Sequence, residues 1–189
     1  MRKNIKKFLL TIALVVSITA VPFTVSALTA RWYVYHVLNV WSVDSGKHLD
    51  WSGSTTYSSN FNTGVNTWNN YKSGVIRRDG ILTVNDVTIS DVSDLSGNTV
   101  ALTTQRYSGS GGKSVSATIQ FSTAKMNNLS DIKRTIVCTH ELGHTLGLDE
   151  NNDNGTSLVM QNNIATNTSN NVLHSEDKFN YDYMYNNKY

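Results

Sequence analysis

Two histidines four positions apart, His140 and His144, stand in the stretch HELGHTLGLDE, with Glu141 directly after the first. On a helix, residues four apart lie on one face, one above the other, so both imidazoles can be offered to a single metal ion. Glu141 cannot share the direction of His140, but it can reach a water held beside such an ion, which is where a general base is needed. Gly147 follows where the helix would stop, and glycine accepts the left-handed backbone of a sharp exit. A chain that turns there can bring residue 150 back toward the histidines. Zinc with three protein ligands and one open position lowers the pKa of its bound water to about 7. These residue types therefore point to metal-assisted hydrolysis of an amide. Cys138 is two residues, about 200° of helix, from His140; it is expected to be a buried small hydrophobe rather than a ligand.

The elements that must position these groups follow from periodicity and turn residues. Ser130 and Asp131 offer a cap and a first-turn charge for a helix running to Gly147. Along it Cys138, Leu142 and Leu146 form a second line, apolar and four apart. Upstream, Phe61, Val65 and Trp68 recur at helical spacing, which predicts an amphipathic helix from Ser59 to about Tyr71, ended by Gly74 and weakened by Gly64. Residues 31–41, 48–52, 81–92, 99–107 and 115–123 read as strands from their β-branched, aromatic and alternating residues. SGSGGKS (108–114) reads as a hairpin connection or a flexible loop, and Arg77-Arg78 beside Asp-Gly as a solvated turn. A last helix is predicted from about Ser175, with Phe179, Tyr183 and Met184 turned inward. The order strand, helix, strands, helix, helix is α+β.

The chain of 189 residues begins MRKNIKKFLLTIALVVSITAVPFTVSA, a basic start, an apolar run and a small-residue exit. That is the pattern of an export signal cleaved after Ala27. Ser17, Thr19 and Pro22 interrupt the apolar run, so secretion is expected rather than a membrane anchor. Arg2, Lys3, Lys6 and Lys7 lie in this leader, so its removal turns a net charge of +2 into −2. No basic cluster remains to suggest nucleic-acid binding. One cysteine excludes an intramolecular disulfide, leaving core packing or bound metal to stabilise the fold.

HELGHTLGLDE followed by SLVM (157–160) resembles the metzincin clan of zinc metalloproteases, and most of all its short matrixin-like members. The clan pattern is His-Glu-x-x-His-x-x-Gly-x-x-His, with Asp last in the snapalysin-like branch, and a methionine-containing turn further on. LHSEDKFNYDYMY (173–185) resembles the matrixin C-terminal helix, and the likeness covers roughly residues 48–185. It implies a metzincin-like single domain: a twisted, mostly parallel sheet, an active-site helix and a C-terminal helix. The expected organisation is a signal peptide over 1–27, an N-terminal segment over 28–47 (a strand or a short pro-segment over the cleft), and a catalytic domain over 48–189. By the resemblance His140 and His144 are zinc ligands, Glu141 is the base and Met160 is the turn methionine. The strand at 115–122 is a candidate platform for an extended peptide.

The departure from the pattern is Glu150 where the third histidine stands, so the resemblance implies Glu150 as the third ligand, with Asp149, one residue earlier, and Glu176, in the last helix, as competitors. Two imidazoles and a carboxylate are a known zinc set on another fold, and the added negative charge should displace activity toward higher pH. Asn162 occupies the place of the astacin-like tyrosine, so no tyrosine partner for the oxyanion carries over. The expected function is a secreted zinc endopeptidase acting on proteins or peptides, monomeric, with structural calcium possible but not indicated by any matching acidic loop. The alternative is a catalytically silent secreted module that keeps the fold to bind peptides.

Overall fold

The structure, a computed structural model of the chain, describes residues 35–80, 85–109, 111–151, 158–162 and 170–189. The expected export signal, the first residues of the expected 31–41 strand and the start of the 81–92 strand lie outside them. Four strands run parallel and a fifth is antiparallel. They are β2 (Leu49–Gly53), β3 (Ile76–Arg78), β4 (Val87–Val92), β5 (Ala101–Arg106) and β7 (Ser116–Ser122), in the order β3-β2-β4-β7-β5. A separate two-residue pairing joins β1 (Val40–Trp41) to β6 (Gly112–Lys113) in parallel. Alternation sets the faces: Ala117, Ile119 and Phe121 of β7 and Val87 and Ile89 of β4 are buried, while Ser116 and Thr118 between them are exposed.

Helices α1 (Ser58–Tyr71) and α3 (Asp131–Thr145) pack against each other, with the short α2 (Thr123–Met126) between β7 and α3. α1 buries Phe61, Gly64 and Trp68, one stripe at three- and four-residue spacing. Gly64 is there for proximity. A Cβ on it would stand 3.0 Å from Thr139 Oγ1 and 3.1 Å from the Thr139 backbone nitrogen, so the two helices meet backbone to backbone at this point. Trp68 then donates its indole N–H to the Thr139 carbonyl at 2.8 Å, in full burial. On α3 the apolar line Cys138, Leu142 and Leu146 is wholly buried, as its spacing predicts, and burial pushes the Cys138 thiol well up. α4 (Ser175–Asn187) closes the domain. Among the described residues no helix is long and apolar enough to cross a membrane.

Several expectations are corrected. Among the described residues of the expected 31–41 strand, 35–41, only Val40–Trp41 form a strand, with one further bridge from Val37 to Leu148. The neighbouring backbone bonds go instead to the exit of α3. Leu38 N–H donates to the Gly147 carbonyl, Ser42 N–H to that of Thr145, and Asp149 N–H to that of His36. Arg77-Arg78 is not a turn but most of β3: Arg77 grips Asp50 with two nitrogens at 2.9 and 2.8 Å, and Arg78 lies over the Trp51 ring. The strand at 115–122 cannot be an edge platform, because β7 is paired on both sides, parallel to β4 and antiparallel to β5. Ser130 takes the N-cap position of α3 without a side-chain capping bond. The inward line of α4 is Asp177, Tyr181 and Met184, not Phe179 and Tyr183, which are half-buried and pack on Tyr35.

Candidate functional site

The face of α3 opposite its apolar line carries His140 and His144, and the two rings meet edge to face with centroids 4.6 Å apart. Each ring is held by its Nδ1. That of His140 is 2.9 Å from the Val159 carbonyl, and that of His144 is 2.9 Å from the Leu148 carbonyl. A carbonyl only accepts, so both Nδ1 atoms carry hydrogen, and in the neutral rings both Nε2 atoms present lone pairs. Those two Nε2 atoms stand 3.0 Å apart. Facing lone pairs at that distance repel unless a cation lies between them. His140 is a poor place for a proton, since burial and the neighbouring His144 hold it below its ordinary value. A shared metal ion resolves the conflict, and the separation is close to the roughly 3.3 Å that two nitrogens of one tetrahedral zinc would keep.

Glu150 completes the group. One ligand atom from each of His140, His144 and Glu150 lies within 4.8 Å of the others, the set found among the described residues that could hold a metal. Gly147 brings this about. Its φ is +81°, and a Cβ there would come 2.4 Å from Met184 Cε and 3.0 Å from Trp41 Cβ, so both conformation and space call for glycine. The reversed segment is fastened by the Val37–Leu148 bridge and by the Tyr189 hydroxyl, which donates to the Leu146 carbonyl. The competing carboxylates are placed otherwise. Asp149 is exposed and accepts the Glu150 N–H at 2.8 Å; Glu176 is buried and accepts from the Asn151 amide at 3.1 Å. Two imidazole nitrogens and a carboxylate oxygen form a donor set that suits zinc.

Met160 lies beneath the helix. It is buried, and a Cβ on Gly143 would come within 2.2 Å of its sulfur. The segment it belongs to is anchored by Asp177, the N3 residue of α4. Asp177 Oδ2 accepts from Val159 N–H at 3.2 Å and His174 N–H at 3.0 Å, and Oδ1 accepts from Met160 N–H at 3.2 Å. Burial nonetheless pushes its carboxyl above the usual range. A relay thus runs from Asp177 through Val159 to His140 Nδ1, the kind of outer support that fixes the tautomer and orientation of a metal-binding histidine. The spacing of residues 140–150 has no term for this anchor, since Asp177 is a single carboxylate 27 residues downstream of the cluster's last member.

Glu141 is buried at 6% exposure beside the metal group. Its Oε2 lies 2.6 Å from the hydroxyl of Thr103 on β5, a contact that sequence reading missed because nothing in a strand's alternation marks one threonine from the next. Gln105, on the same face of β5, donates to the His144 carbonyl at 2.6 Å. A cleft of about 880 Å³ reaches His140, Glu141 and Glu150 and extends past Val100, Leu129 and Asn162. It brings together a cluster that could hold a metal and the Glu141 carboxylate next to it.

A sequence model of the matrixin peptidases matches residues 41–186 of the chain. A comparison with curated proteins returns no match.

Proposed function

Since the chain belongs to the matrixin family of zinc metallopeptidases, we propose that it is a secreted zinc endopeptidase in which His140, His144 and Glu150 hold the metal and Glu141 is the general base. The observation that carries this reading is the meeting of two bare Nε2 atoms and one carboxylate within 4.8 Å, with Glu141 buried beside them in the same cleft. Zinc bound there supplies Lewis acidity, polarising the substrate carbonyl and acidifying a water. Glu141 accepts the proton of the attacking water and passes it to the departing amine nitrogen as the carbon–nitrogen bond breaks. The Nδ1 contacts of His140 and His144 to backbone carbonyls fix the ring orientations that leave each Nε2 to face the metal position.

The substrate is a protein or peptide in extended form. Among the described residues β5 is paired on one side only, to β7. A peptide that adds along its outer edge gains main-chain hydrogen bonds there while its carbonyl lies over the cleft. The leader at 1–27 supports export, and the proposed domains are that leader, the segment 28–47 and a catalytic body over 48–189, acting as a monomer outside the cell.

The test is a digest of casein by the purified protein. Cleavage should stop with a chelator and return with zinc, and Glu141→Gln should abolish it while leaving the zinc-to-protein ratio intact. Glu150→Ala should lower that ratio after dialysis. Zinc retained by a wild-type protein that never cleaves casein would favour a silent peptide-binding relative; cleavage indifferent to chelator and to Glu141→Gln would refute the mechanism.

A further inference from the structure

Thr103 sits in the middle of β5, opposite Ile119 of β7, with its side chain toward α3. Its hydroxyl oxygen is 2.6 Å from Glu141 Oε2 and 3.1 Å from the Glu141 carbonyl. A hydroxyl has one hydrogen to give. Of the two acceptors the carboxylate is both closer and charged, and charge-assisted bonds are the shorter and stronger kind. The donation therefore goes to Oε2, and the second oxygen, Oε1, is left to receive a proton.

We propose that Thr103 is a positioning residue for Glu141, holding the carboxylate in the one orientation that serves the attacking water. This rests on the reading of Glu141 as the base. Glutamate has three side-chain torsions, and a base on an unsupported side chain spends part of its time out of reach. Fixing one oxygen to a sheet strand removes that freedom before substrate arrives, which is how a position-dependent rate is secured. The strand concerned is the one whose outer edge receives the peptide, so base and substrate are referred to the same rigid element. Gln105, two residues on and facing the same way, ties the last turn of α3 to that strand through the His144 carbonyl.

The competing explanation is that Thr103 fills an inward strand position with a β-branched shape and its hydroxyl is incidental. The two explanations order the substitutions oppositely. Thr103→Val keeps shape and strand preference but loses the hydroxyl; Thr103→Ser keeps the hydroxyl but loses the methyl. For the zinc-loaded protein acting on fluorescently labelled casein, Thr103→Val is expected to lower kcat about 10- to 100-fold, the scale of a misplaced catalytic group, with KM and zinc content unchanged. Thr103→Ser should keep most of the wild-type kcat. An independent reading comes from the metal-free protein, where the carboxyl carbon-13 resonance of Glu141 should move in Thr103→Val and stay in Thr103→Ser. Equal kcat in wild type and Thr103→Val, or equal losses in both variants, or an unmoved Glu141 resonance in Thr103→Val, would overturn the proposal. Casein left uncut by wild type, or cut equally by Glu141→Gln, would instead strike the proposed function, while the resonance would still report whether Thr103 holds the carboxylate.

Discussion

Replacing Gly143 by alanine sets two forces against each other at the centre of the site. Gly143 lies inside α3, between Leu142 and the proposed ligand His144. In an unobstructed helix interior the change would stabilise the protein by about 1 kcal/mol, through the backbone entropy that glycine loses on folding. Here the new Cβ would stand 2.2 Å from Met160 Sδ, 3.1 Å from Met160 Cε and 3.1 Å from Trp68 Cζ2. Non-bonded carbon contacts settle near 3.5–4.0 Å, so the sulfur must retreat by more than about 1 Å. Met160 is buried at 1% exposure and Trp68 at 0%, so neither has solvent to move into. Overpacking of this kind costs about 1–3 kcal/mol. Set against the helix gain, the net is a destabilisation of about 1 kcal/mol, or roughly 2–4 °C in melting temperature for a domain of this size.

The larger effect should fall on the metal. Displacing Met160 shifts Val159, whose carbonyl orients His140, and losing an outer partner of a ligand costs about 10- to 100-fold in metal affinity. Thermal melts of the metal-free protein and a competitive zinc titration measure the two effects separately. Met160→Ala supplies the control: it opens the space, so Gly143→Ala should be tolerated far better on that background, with a coupling of about 1 kcal/mol or more. A Gly143→Ala protein that melts higher than wild type, with zinc affinity unchanged, would refute the close packing of helix and methionine turn.

The gathering of His140, His144 and Glu150 was legible in the sequence because its parts are local. His140, Glu141 and His144 share one helix, whose period fixes their directions, and Gly147 announces the reversal that returns Glu150. What reaches the site from elsewhere was not legible. Thr103 and Asp177 act across 38 and 17 or 18 positions, and a lone threonine or carboxylate looks the same whether it anchors a site or faces water. The inward face of α4 was misread for a related reason: Asp177, Asn180 and Glu176 are buried by hydrogen bonding, so apolarity does not mark that face. Gly64 counted against a helix that in fact needs it for contact with Thr139. Residues 31–41 have strand-like composition, but composition reports suitability for a pleated surface, not the presence of a partner. β3 is three residues long with two arginines, and its strand character comes from its neighbour β2 rather than from its own residues. Strand order likewise has no local signature, so nothing in residues 115–122 themselves marks β7 as an interior strand.

Two further outcomes follow from the outer supports of the site. Asp177→Asn keeps the size of the side chain but offers one acceptor where the carboxylate serves three backbone N–H groups. Unpaired buried donors cost about 1–3 kcal/mol each, so the variant should unfold at clearly lower urea concentration and bind zinc more weakly through the loosened Val159 carbonyl. The metal-free protein should also be acid-sensitive through His140. Burial first, and His144 second, hold this imidazole below 6.5 in the folded chain, whereas the unfolded chain takes up a proton near that ordinary value. Between the two pKa values the unfolded state binds more protons, so stability is fully present above about pH 6.5 and falls as pH decreases, by at most about 1.4 kcal/mol per pH unit for one group. Urea titrations of chelator-treated protein from pH 8 downward would record the loss, and His140→Gln should remove this part of the slope. A metal-free protein equally stable at pH 5.5 and pH 8 would mean that the ring takes a proton in the folded state as readily as in the unfolded one. That ring would be neither enclosed by Val159 and α3 nor restricted to presenting a lone pair at Nε2, and the case for a shared cation between the two histidines would lose its premise.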